Sequence, residues 1–135
     1  MSRPLLVTLV LLARCGQPEA TLQATVILPA AVSVSDVHAI DFIVLTATSA
    51  TGQHVTCADA ASAWQTGDNV LYHRFASSGA LHFLSVPSGK ALIVLVNAYS
   101  DSEGLGLPFA TACQDNVSIA AGTTQTLTIA LHGSR

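Results

Sequence analysis

Between residues 21 and 131 the apolar side chains return at every second position and not at every third or fourth, which excludes a helical body and demands strands. Leu22, Ala24, Val26 and Leu28 alternate with Thr21, Gln23, Thr25 and Ile27 until Pro29 ends the run. That is a strand with one face toward a core. Residues 40–48 (IDFIVLTAT) are apolar on both faces apart from Asp41, and residues 91–99 (ALIVLVNAY) are the most apolar run of all, so both are expected at the middle of a sheet. Residues 70–75 and 80–86 are two further strand-like runs, and Ser77-Ser78-Gly79 between them predicts a hairpin. Leu81 and Phe83 would face one way there, His82 and Leu84 the other. Pro87-Ser88-Gly89 makes a tight turn. Residues 108–113 and 116–120 form one strand or two short ones, and Gly122 turns the chain into a last run that points Leu127, Ile129 and Leu131 inward. The expected fold is all-β, a seven- or eight-stranded antiparallel β-sandwich forming a single domain over residues 21–132.

Composition agrees with burial as the source of stability. Half the chain is apolar and only 10% is charged, well below the usual quarter. The net charge is −3, and outside the first fourteen residues three basic side chains (Arg74, Lys90, Arg135) stand against eight acidic ones. Such a surface repels phosphate, so nucleic acid is excluded as a partner.

The amino-terminal segment has a different character. A short basic start is followed by residues 5–13 (LLVTLVLLA), an apolar run broken only by Thr8. Nine residues are too few to span a bilayer, which takes about 20. The pattern is that of a secretory signal peptide over residues 1–14. Leu12-Ala13-Arg14-Cys15-Gly16 resembles the lipobox of bacterial lipoproteins, with Arg14 standing where that motif carries Gly, Ala or Ser. The resemblance implies lipid on Cys15, a tether over residues 15–20, attachment to a membrane through that lipid, and a place in the bacterial cell envelope. The alternatives are an ordinary signal peptide cut nearby with simple secretion, and an unprocessed cytoplasmic chain. With Cys15 lipidated, Cys57 and Cys113 remain as an even pair that an oxidising compartment would join; two buried free thiols are the other reading.

Two segments carry a family likeness. Residues 81–94 (LHFLSVPSGKALIV) resemble the strand, Val-Pro-x-Gly turn and long apolar strand of prealbumin-like bacterial modules, the group of carboxypeptidase-regulatory and collagen-adhesin B-type domains. Residues 116–131 (NVSIAAGTTQTLTIAL) are similar to the closing strands of small bacterial surface lipoproteins. Immunoglobulin-like modules share this turn chemistry, so the sandwich is expected to be prealbumin-like or Ig-like. The resemblance implies a scaffold or binding module and not an active site; the expected partner is another envelope protein or a surface polymer.

Catalytic patterns are lacking. No Gly-x-Ser-x-Gly elbow, no Cys-His context and no phosphate-cradling glycine loop occurs, so neither an enzyme nor a cofactor is expected. The five histidines are scattered singly; His73 and His82 would meet across the predicted hairpin and could share a transition metal. Asp101, Glu103, Asp115 and Asn116 lie on expected loops, where they would cap turns or offer oxygens to calcium. Trp64, in a long polar loop, is a candidate contact residue for a sugar or peptide, as are Asp101 and Glu103 of the 100–106 loop; the alternative for Trp64 is a plug over one end of the sandwich.

Overall fold

The computed structural model describes residues 19–48, 51–60, 69–76, 81–101, 103–104 and 106–133. The amino-terminal segment 1–14, Cys15 and Trp64 lie outside the described residues. Eight strands follow in order: β1 (Glu19–Ile27), β2 (Ala39–Leu45), β3 (Val70–Ala76), β4 (Leu81–Pro87), β5 (Gly89–Tyr99), β6 (Ala110–Ile119), β7 (Thr124–Ala130) and β8 (His132–Gly133). They form a three-stranded sheet, β4-β1-β7, and a five-stranded sheet, β3-β2-β5-β6-β8, packed as a sandwich.

Alternation along each strand creates the space between the sheets. From the small sheet Ala20, Leu22, Ala24 and Val26 of β1, Leu84 and Val86 of β4, and Leu127 and Ile129 of β7 are buried. They meet Ile40, Phe42 and Val44 of β2, alternate residues of β5 from Leu92 to Ala98, and Ala110, Ala112, Val117 and Ile119 of β6 in one cluster. Each large aliphatic side chain placed there contributes about 1.5–3 kcal/mol relative to exposure. Neighbouring strands run antiparallel except β1 and β7, which are parallel with Thr21 beside Thr124 and Ile27 beside Ala130.

Every residue of β2 is buried, and so is most of β5, because the five-stranded sheet is covered on both sides. On its outer face Ile43, Leu45, Ile93 and Leu95 form a second cluster under Val55 and Ala60. Those two residues belong to a strap, residues 51–60, that ends in a 3-10 turn at Cys57–Asp59. The apolar character of β2 and β5 on both faces thus has two separate causes, one core on each side.

The hairpin expected of β3 and β4 is not formed. β3 pairs with β2 in the large sheet, whereas β4 pairs with β1 in the small one, so the chain crosses from layer to layer between them. A hairpin would have put Leu84 and Val86 in the same layer as β3 and left β1 without a partner on that side. His73 and His82 are accordingly not neighbours. His73 lies beside Ile43 in the β2–β3 register, while the His82 ring packs on Phe42 with centroids 4.7 Å apart. The two possibilities left open for residues 108–120 resolve into one strand, β6, bent where Asn116 takes a positive φ of 56°.

Candidate functional site

The residues singled out from the sequence are placed as follows. Cys57 and Cys113 are joined in a disulfide with Cα atoms 5.7 Å apart, within the usual span of such bridges. The bond pins the strap to β6, directly over the second core cluster. A stable disulfide belongs to an oxidising compartment, consistent with export.

Asp101 and Glu103 sit in the loop that joins β5 to β6, where the Glu103 backbone N–H donates to Asp101 Oδ2 at 3.3 Å. Glu103 is exposed and Asp101 half-buried. Asp115 and Asn116 are not with them. They lie farther along β6, where the β5–β6 register shifts, and line a cavity of about 230 Å³ together with His54, Thr56 and Ala91. The four oxygen-bearing residues considered for calcium are therefore split between two places, and among the described residues no group of three or more His, Cys, Asp or Glu converges. Ala91 faces that cavity with a φ of 55°, a left-handed conformation that costs a non-glycine residue about 1–2 kcal/mol.

A polar cluster on the outer face of the large sheet was not anticipated. Asp41, only 5% exposed, accepts a hydrogen bond from Tyr99 Oη at 3.1 Å and one from His73 Nε2 at 2.7 Å. The carboxylate can only accept, so the imidazole nitrogen facing it carries the proton. Asn97, also buried, stands directly opposite Asp41 in the β2–β5 register. Burial, with the Asp41 charge second, pushes the Tyr99 phenol up to about 12 from its ordinary 10.0, so folding is favoured below pH 10 by a contribution that is lost as pH rises toward 12. Gly104 of the β5–β6 loop closes over this cluster with a φ of +65°; a Cβ there would fall 2.6 Å from Phe75 Cε1. Two signals were present in the sequence: Asp41 and Asn97 are the polar interruptions of the two most apolar strands. Their register was not. Both hydrogen bonds to the Asp41 carboxylate thus come from side chains of neighbouring strands, and together they form a buried polar network.

A second surface lies on the small sheet. β4 is one of its two edge strands, β7 being the other: it pairs with β1 on one side and with no described strand on the other. Its sequence, LHFLSVP, contains no Lys, Arg, Asp or Glu, and Phe83 at its middle is 59% exposed. Natural edge strands are usually blunted by charge, proline within the strand, or a cover, because their unpaired backbone groups invite another chain. β4 carries no charged side chain, and its one proline, Pro87, is its last residue. A second apolar feature, a cavity of about 280 Å³, opens at the far end of β1 between Val26, Leu28, Val34 and Val37. Among the described residues no helix is long and apolar enough to cross a membrane.

No family model matches the sequence, and no curated protein matches it. Several solved structures are similar at low identity. A protein of Bacteroides thetaiotaomicron provisionally assigned to polysaccharide binding aligns at 10% identity and a TM-score of 0.40, over 83% of this chain and 46% of its own. The shaft pilin SpaA of Lactobacillus rhamnosus GG aligns at 10% identity and a TM-score of 0.37, over 88% of this chain and 52% of its own. A pilus-presented adhesin aligns at 14% identity and a TM-score of 0.34, over 87% of this chain and 27% of its own. This chain spans about half, or less, of the length of each.

Proposed function

We propose that the protein is a non-catalytic, exported binding module that takes an extended segment of another envelope protein onto the open edge of β4. The observation that carries this reading is the uncharged edge of β4 with Phe83 exposed at its centre. An added strand would hydrogen-bond to the backbone groups on the side of β4 that faces away from β1, and alternate side chains would set the specificity. Residues 1–14 act as the signal peptide and Cys15 as the lipidated anchor, which holds the module at a membrane surface. The Cys57–Cys113 disulfide supports an oxidising location.

Intact-mass measurement on the protein from its own envelope tests the anchoring. Loss of residues 1–14, an acyl addition on Cys15 and a gain of two hydrogens on reduction are expected. A chain that retains Met1 overturns this part of the reading.

The edge is tested by photo-cross-linking in intact cells with a probe at Ser85, exposed on β4. A covalent adduct with one protein is expected, and Phe83→Lys should lower its yield about tenfold, equivalent to about 1.4 kcal/mol. Because Phe83 is exposed, that substitution should change stability by no more than about 0.5 kcal/mol. An adduct of unchanged yield in the Phe83→Lys protein, or none at all, overturns the assignment of the edge.

A further inference from the structure

The outward face of the small sheet has a property that strand addition at its edge does not use. Counting across the parallel β1–β7 pair, Thr21 stands beside Thr124, Gln23 beside Thr126 and Thr25 beside Thr128. On the other side of β1, Ser85 stands beside Thr21 and Phe83 beside Gln23. The three β7 threonines, Ser85 and Phe83 are exposed, and the β1 side chains are half-buried between them. Adjacent strands lie about 4.8 Å apart and successive outward residues about 6.7 Å apart along each strand, so the hydroxyls and the amide form a repeating grid.

Charge decides what such a grid can hold. None of these side chains is ionised. The carboxylate of Glu19, at the margin, accepts a hydrogen bond from Ser85 Oγ at 3.1 Å. The two described cations, Arg74 and Lys90, belong to the other sheet, on β3 and β5. A polyanion would therefore meet no counter-charge on this face and a chain of net charge −3 behind it. A neutral polymer meets neither obstacle.

We propose that this face binds the flat side of a neutral, β-linked polysaccharide. Its hydroxyls would exchange hydrogen bonds with the threonine and glutamine side chains, each worth about 0.5–1.5 kcal/mol net. The threonine methyls and the Phe83 ring cover the apolar C–H faces of the sugar rings. Individual contacts of this size are weak, and the repeat of the grid supplies affinity by presenting several to successive sugar units. The surface shares Phe83 and Ser85 with the edge of β4 and extends beyond it over the outward side chains of β1 and β7.

The test is depletion of the intact mature protein from solution by microcrystalline cellulose and by chitin, with calcium alginate beads as the acidic counterpart. Retention on at least one neutral polymer and none on alginate is expected. Thr126→Asp, which puts a charge at the middle of the grid, should lower retention about tenfold, whereas Ser118→Asp, on exposed β6 of the other sheet, should leave it unchanged. Thermal unfolding of both variants should match the parent, and Thr126→Asp should leave cross-linking at β4 intact. Absence of retention on both neutral polymers, equal retention on alginate, or full retention by a folded Thr126→Asp protein overturns the proposal.

Discussion

The Cys57→Ser/Cys113→Ser double variant is expected to lose about 4 kcal/mol of unfolding free energy, the chain-entropy value for a loop of the size this bridge closes, with a fall in Tm of about 15 °C. The loop is 56 residues long and spans β3, β4, β5 and the first half of β6, so its closure constrains strands from both sheets in the unfolded chain. The same bond also holds the strap over Ile43, Leu45, Ile93 and Leu95. Reduction therefore acts twice, by freeing the unfolded chain and by loosening a cover over apolar surface. Urea titration of the parent with and without reductant, beside the double variant, measures this. Coincident midpoints for the oxidised parent and the variant would show that the strap is held by packing alone.

The second large effect is expected at Phe42. The side chain is fully buried on β2 and its ring lies against His82 of β4, so it joins the two sheets at the middle of the sandwich. Phe42→Ala should cost about 3–5 kcal/mol, the sum of lost burial and the cavity left between rigid layers. Phe42→Leu, which keeps most of the volume, should cost less than about 1.5 kcal/mol. Chemical denaturation of both variants checks the pair. Equal, small losses would mean that the sheets close around the vacancy and that the ring is not the central contact.

Most of the layer structure was legible because strand burial is written in the period of the side chains. Ala20, Leu22, Ala24 and Val26 alternate inward in β1 as the pattern requires, and β2 and β5 are central as their two-sided apolarity requires. What the pattern does not encode is which strand lies beside which. Ser77-Ser78-Gly79 has the chemistry of a chain reversal, and reversal is compatible with a hairpin in one sheet or a crossing to the other. The crossing prevails because β4 is needed as the partner of β1. Register was equally hidden. Asp41 and Asn97 were visible as polar residues in apolar strands, but that they face each other, with His73 and Tyr99 closing on the carboxylate, depends on pairings between segments more than thirty residues apart. The open edge of β4 had the same status: the lack of charge in LHFLSVP could be read directly, and its position at a sheet boundary could not.

The parallel arrangement of β1 and β7 determines how the module carries mechanical load. The chain enters β1 at Glu19 and leaves β7 at Ala130, at opposite poles of the small sheet. Tension applied at those two points runs along the strand axes and strains the hydrogen bonds between them together, in shear, where a hairpin would let them open one after another like a zipper. Should the sheets part, the disulfide keeps residues 57–113 from being drawn out, which limits how far the molecule can lengthen.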